Sequence, residues 1–351
     1  MSFAAAPVSF ASVPKGPPGS LTNLAVGYSG AGVIESLALA KQLGSSGKCP
    51  GAGDTRDIWE ALATVGARDL GAARAVEPHL DALAILDQAT NAGFEGQPDA
   101  TERAWGVFAA EGGSDPLIAS AINSGWRLDG TKPWCSLAGE LDSALITASV
   151  DGGSRRLFAV DLSDPGVDVR TDSWHSRGLA EIRSGPVHFA SVSAVPVGDE
   201  GWYLERPGFA WGGIGVAACW FGGAVGLARS LFSAAQKSSA SPFLFMHLGA
   251  VDELLQSCRR ALLEASQSLD DGVAVGSAGR LLAKRVRSTV ARSSEEVIQR
   301  VGHALGPAPL ALDEGHSKRV SDLELYLRQH HAERDDASLG EALARAEGAP
   351  W

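Results

Sequence analysis

The hydrophobic pattern of this chain changes period twice, and that change removes most fold classes. From Leu21 to about Thr101 apolar residues recur at helical spacing, and from Ala104 to Val197 they fall into short runs punctuated by turns. From about Phe209 onward the helical spacing returns. A helical block, a β block and a second helical block cannot be one alternating βαβ fold, and no GxGxxG follows a strand. No internal repeat stands at a fixed period. With 351 residues the chain can form two or three cores. The expected class is α+β and multi-domain. It comprises a flexible lead-in over 1–22, a helical domain over 23–103, a β domain of six to eight strands over 104–206 and a helical bundle over 207–345.

Local signals refine each block. Asp54 is placed to cap a helix carrying Ile58, Trp59, Leu62 and Val65, with Gly66 as its stop. A second helix follows Asp69, and Pro78 marks a kink or break within it. In the last block the segments Gly212–Gln236, Phe245–Asp270, Ser277–Leu305 and Ser317–Glu333 suit an antiparallel bundle with short connections. The run AKRVRSTVAR reads as the solvated face of one bundle helix.

Composition serves mainly to exclude. A formal charge of −11 argues against a nucleic-acid partner, and 45% apolar with 20% charged residues describes a globular chain. Cys49, Cys135, Cys219 and Cys258 show no CxxC spacing, so no metal site is expected from them and free thiols in a reducing compartment are. The Pro/Ser-rich start lacks a basic segment followed by an apolar core, and so does not read as a signal peptide. The apolar run around Gly212–Phe232 carries many glycines and Arg229, which favours a buried core helix over a membrane span. A cytoplasmic protein without a membrane partner is expected.

The segment from Trp105 to Ala148, WGVFAAEGGSDPLIASAINSGWRLDGTKPWCSLAGELDSALITA, carries the most specific signal. It reads as a glycine turn, a strand, a DG hairpin turn and a second apolar strand after TKPWCS. This layout resembles the middle domain of the acyl-CoA dehydrogenase superfamily, where a TEPGAGSD-like turn precedes a GWxLxGxKxWIT-like hairpin. RGLAEIRSGPVHFASVSAVP is similar to that family's next strand pair, and HALGPAPL with RVSDLELYLRQHH is similar to its last bundle region. The likeness spans roughly Asp54 to Gly340, with a helical domain shorter than is usual for the family. It implies a middle antiparallel β-barrel-like domain, a C-terminal four-helix bundle and bound FAD.

By that resemblance Trp134 lies against the flavin, Ser136 offers a hydroxyl near its N5, and Ser114 of the GGSD turn sits on the phosphate side. His303 and Gly306 stand in the cofactor loop of the bundle. Read from the residues alone, Trp134 is equally a core aromatic, Ser136 a turn hydroxyl and Ser114 a cap. Other positions depart from the pattern. Phe108 replaces a flavin-contacting Thr, Lys237 is the nearest base in the segment usually reaching a partner's adenosine, and Pro307 replaces a glycine. The family's catalytic Glu position falls on His330, and its alternative position falls near Gly212.

His330 can itself serve as a base, since a neutral imidazole is competent near neutral pH. Glu333, one turn on, could orient it. His331 reads as part of a polar helix end, and Glu111 as a turn carboxylate with a base role conceivable. Three functions follow: FAD-dependent oxidation of an acyl thioester at Cα–Cβ, an oxygen-using flavin monooxygenase on the same fold, or a non-catalytic subunit or scaffold. An electron-transfer partner is possible. A homodimer or homotetramer is expected, with Gly222, Gly223 and Gly226 allowing close helix approach.

Overall fold

The computed structural model describes every residue except 1–5, 13–15, 31, 101, 113, 124, 151–152, 171, 347 and 350. Among the described residues four helices come first: α1 Ser20–Gly27, α2 Val33–Gly44, α3 Thr55–Arg68 and α4 Leu70–Asn91. Seven strands follow: β1 Trp105–Phe108, β2 Ile118–Ile122, β3 Gly125–Ser136, β4 Ser143–Ser149, β5 Arg155–Asp161, β6 Val167–Val169 and β7 Ser184–Val197. The rest is α5 Trp202–Glu205, α6 Gly208–Ala235, α7 Pro242–Asp270, α8 Gly276–Leu305, α9 Pro307–Leu312, α10 Glu314–Tyr326 and α11 Glu333–Ala344.

The strands close on themselves. β4 pairs with β5, β5 with β7, β7 with β3, β3 with β2, and β2 returns to β4 through Ile118 opposite Ser149. β1 and β6 flank this barrel on β4 and β7. Phe108, Leu128, Ile146, Phe158, Phe189 and Val192 fill it. Phe108 thus faces the barrel core.

The two helical blocks share one core. Side chains of α1–α4, α6–α8 and α10 bury together around Trp59, Trp220 and Leu227. The glycines of α6 make that possible within one chain. A Cβ on Gly222 would stand 2.2 Å from the Ala63 carbonyl oxygen, and one on Gly66 would stand 2.8 Å from the Cys219 carbonyl oxygen. Gly66 is therefore a crossing point of α3 with α6 and not a stop, since α3 continues to Arg68. The glycines expected to serve subunit contact serve this internal contact instead. α6 is long and apolar enough to cross a membrane by length and composition, yet 78% of its apolar window is buried inside the molecule.

Other expectations need correction. Asp54 makes no side-chain cap on α3; the carboxylate of Asp270 takes that role, accepting from the amides of Gly53 and Thr55. Asp69 caps α4 through the amides of Gly71 and Ala72, and α4 runs unbroken through Pro78. The lead-in is tied down where it is described: Phe10 is fully buried against Phe221, and the Val8 amide donates to Thr64 at 2.9 Å. Residues 1–5 and 13–15 of that segment lie outside the described residues.

Candidate functional site

A cavity of about 690 Å³ opens where α4, the barrel, α5 and the end of α10 meet. That is the size of an ordinary small-molecule site. Its walls are built by different means.

The barrel wall comes from a bulge at the end of β3. Lys132 stands opposite Val187 and Cys135 opposite Gly185, so Pro133 and Trp134 together face one residue of β7. Trp134 adopts φ +59° and leaves the ladder, placing a 62% exposed indole on the cavity wall. A large aromatic held in the left-handed region costs free energy that this strand must absorb. Beneath it Lys132 is buried, with its ammonium donating to Glu111, the Thr147 carbonyl and the Thr147 hydroxyl at 2.7–3.0 Å. Burial lowers the Lys132 pKa and the Glu111 contact opposes that shift. Glu111 is thereby committed to Lys132 and to Thr147, the latter at 3.0 Å. Its role is to brace this wall.

Ser136 follows the bulge. It accepts from Arg74 of α4 at 3.0 Å and lies 2.7 Å from the Ser184 hydroxyl, which donates to the Ile182 carbonyl. The direction of this chain assigns the Ser136 proton to Ser184. Arg74 is the donor left near that point, and its guanidinium also lies over the Tyr326 ring at 5.9 Å.

The opposite wall is α4 itself, which presents Arg74, Glu77, Pro78 and Asp81 to the cavity. Asp81 pairs with Arg206 at 3.5 Å, and Arg206 donates to Gln88 at 2.8 Å. Burial holds the Asp81 carboxyl above its ordinary value, with Arg206 pulling it down. Glu77 is buried more deeply. Burial, with the charge of Asp81, pushes its carboxyl up to about 8, against the pull of Arg74 and Arg287. Next to it His79 faces away from the cavity and accepts from the Trp105 amide at 3.2 Å, tying α4 to β1. Burial, with the Lys41 charge, lowers His79 to about 4 and keeps it a neutral acceptor.

The cavity floor is the loop carrying Trp174, Leu179 and Ile182. The Leu179 amide donates to the buried Asp322 at 2.6 Å. Asp69, Glu181 and Asp322 gather within reach of one cation, and the Lys318 ammonium stands among them. Lys318 thus locks α4, this loop and α10 together.

The chain end departs most from expectation. Helix does not run through Glu333. α10 stops at Tyr326, a 3-10 turn covers Leu327–Gln329, and Ala332 at φ +44° precedes α11. Arg287 explains the break. Its guanidinium lies over Trp220 at 4.8 Å and donates to the carbonyls of Gln329 and Gly213, satisfying a carbonyl the helix releases. Arg287 is consequently no part of a solvated face.

The break turns His330 inward, beside Trp220, with Nε2 3.2 Å from the Ser288 hydroxyl and 3.7 Å from Asp335. Burial lowers its pKa, with Asp335 opposing. His330 does not line the cavity; Gln329 and the exposed His331 do. The carboxylate beside His330 is Asp335, while Glu333 is exposed at the start of α11.

The structure therefore brings Trp134, Ser136, Glu111 and His331 to one cavity and leaves His330, Ser114, His303 and Gly306 elsewhere. Ser114 is exposed in a turn pinned by Asp115, whose carboxylate accepts from Thr131 at 2.8 Å; Gly113 of that turn lies outside the described residues. His303 and Gly306 sit at the C-terminal end of α8, with His303 edge-on to His247 at 6.2 Å. Lys237 is exposed just past α6. Gly212 faces Asp81: a Cβ there would stand 2.9 Å from its carboxylate oxygen. Arg74, Glu77, Asp81 and Lys132 were not expected. Their signal, charges spaced along one face of an otherwise apolar helix and a lysine inside a strand, is the same one a solvated surface gives.

No protein-family model and no curated protein matches this chain. Solved structures do. FMN-bound TdsC from Paenibacillus sp. A11-2, a dibenzothiophene monooxygenase, is 15% identical with a TM-score of 0.77, covering 94% of this chain and 97% of that one. A nitrososynthase from Micromonospora carbonacea var. africana is 17% identical with a TM-score of 0.74, covering 96% and 99%. KijD3, solved with FMN and a dTDP-linked amino keto sugar, is 18% identical with a TM-score of 0.74, covering 89% and 86%. The fold is that of the acyl-CoA dehydrogenase superfamily.

Proposed function

We propose that this chain is a flavin-dependent oxidoreductase whose cavity takes an FMN-sized cofactor together with a small organic substrate, and that it uses molecular oxygen. The observation that carries this reading is the exposed, backbone-strained Trp134, beside Ser136 and opposite Arg74 in one cavity. An indole in that state gains a reason for its strain only when a flat ring covers it. Residues of the chain fit a flavin. Trp134 would cover one face, Arg74 would offer charge-assisted hydrogen bonds to an electron-rich edge, and Leu179 and Ile182 would exclude water. When bound, the flavin supplies two-electron redox chemistry and, once reduced, a route to oxygen.

FMN is favoured over FAD, since His303 and Gly306 stand apart from the cavity and about 690 Å³ suits one drug-sized ligand more than a dinucleotide with coenzyme A. The FMN in TdsC and KijD3, on the same fold, supports the choice. Oxidation of an acyl thioester is the second reading, supported by the fold and by the carboxyls of α4. An oligomer is also proposed: Phe243, Phe245 and Met246 of α7 and Leu310 and Leu312 of α9 are exposed apolar side chains. Cytoplasmic placement stays a proposal on the free thiols Cys49, Cys135, Cys219 and Cys258.

The test is anaerobic. FMN-loaded protein is either photoreduced and mixed with oxygen, or left oxidised and mixed with a panel of acyl-CoAs. Rapid reoxidation by oxygen and no bleaching by any acyl-CoA is the expected result. Bleaching by an acyl-CoA would replace the oxygen reading with the dehydrogenase one.

A further inference from the structure

The cavity holds one group that the expected machinery leaves unused. Glu77 of α4 lines the cavity, and among the described residues no donor hydrogen-bonds to it. Charged and titratable groups surround it from every packed element. Arg74 and Asp81 come from α4, Tyr203 and Arg206 from α5 and the residue after it, Cys219 from α6, Arg287 from α8 and Tyr326 from α10. Asp81 meanwhile fills the space that a side chain at Gly212 of α6 would take, one of the two positions where the sequence resemblance looked for a carboxylate. The other, His330, is turned away behind Trp220 and Ser288. α4 places two carboxyls, Glu77 and Asp81, at this cavity.

We propose that Glu77 is the proton-exchanging residue of this cavity, with Asp81 and Arg206 as its positioning pair. The proposal rests on the oxygen-using reading above. Monooxygenation consumes one O2, two electrons carried in by a reduced flavin and two protons, and yields one oxygenated product and one water. Glu77 delivers one of those protons from its carboxyl oxygen to the dioxygen under reduction, one atom of which leaves as water when substrate takes the other. The carboxylate left behind faces the guanidinium groups of Arg74 and Arg287, and it regains its proton through the open side of the cavity. A carboxyl that is protonated near neutral pH is required for such a role, and burial beside Asp81 holds it there.

Two measurements test this, one of them independent of any flavin. Dicyclohexylcarbodiimide reacts with protonated carboxyls in apolar surroundings, so the flavin-free protein is treated over pH 6 to 9 and mapped by mass spectrometry. Labelling of Glu77 that fades as pH rises through about 8 is expected. An unlabelled Glu77 at the acid end would overturn the proposal. The second is the pH profile for reoxidation of photoreduced, FMN-loaded protein by air-saturated buffer. Glu77→Gln should bind FMN within about twofold of the parent and lose the titration near pH 8, and Glu77→Asp should shift it. A parental profile in Glu77→Gln overturns the role. Failure of the parent to bind FMN would sink the flavin reading while leaving the labelling result decisive for Glu77.

Discussion

The two walls of the cavity are held in place by opposite routes. The barrel wall meets the cavity with an indole and two hydroxyls, placed by a bulge and a chain of hydroxyl bonds and braced behind by the Lys132–Glu111 pair. The α4 wall is ionisable and held from distant parts of the chain, with Asp81 paired to Arg206 and Glu77 in the field of Arg74 and Arg287. Arg74 is the strut between them. The lesson is that the proposed binding surface and the proposed proton-handling surface have different supports. The first needs shape, and the second needs opposing charges at low water content.

Variants can break this division, the strut first. Arg74→Ala should weaken FMN binding by roughly 10- to 100-fold, the equivalent of one lost charge-assisted hydrogen bond, and lower the melting temperature as well. Flavin fluorescence and calorimetry read the two effects. Trp134→Ala should cost up to about tenfold in FMN affinity and leave the melting temperature level or slightly higher, since an exposed, strained residue is relieved. A large fall in stability would mean the indole serves the fold and not the cofactor.

The charged wall should show in the pH dependence of stability. Glu77 is held above its ordinary carboxyl value, so the native state keeps a proton that the unfolded chain releases. Its contribution to stability therefore declines as pH rises from the ordinary carboxyl range to about 8. Denaturation curves of Glu77→Gln should lack that decline. His79 acts in the other direction: its stabilising effect as a neutral acceptor is present above the ordinary histidine range and is lost as pH falls toward about 4. The smallest effect is expected from His330→Gln. About 1 kcal/mol of stability should be lost through the Ser288 contact, with FMN affinity unchanged. A strong effect of this change on flavin reoxidation would return His330 to the chemistry.

What could be read from sequence follows the same division. Trp134 and Ser136 are adjacent to the turn and strand that place them, so a short motif carried their positions along with their identities. The order of blocks was legible because hydrophobic period is a local property. His330 was assigned by counting along a helix that breaks after Tyr326, and the break depends on Arg287, far away in sequence. Glu77 and Asp81 read as a polar helix face, and nothing local distinguishes a face that meets water from one that meets a cavity. Gly222, Gly223 and Gly226 announced close packing without saying that α3 and neighbouring elements of the same chain were the partners.

The claim that joins both walls is that they enclose a flavin, and an FMN titration of the purified protein tests it most directly. Quenching of FMN fluorescence should saturate at one FMN per chain, with a midpoint displaced upward in Trp134→Ala. Absence of saturable binding by either FMN or FAD in the parent would contradict it.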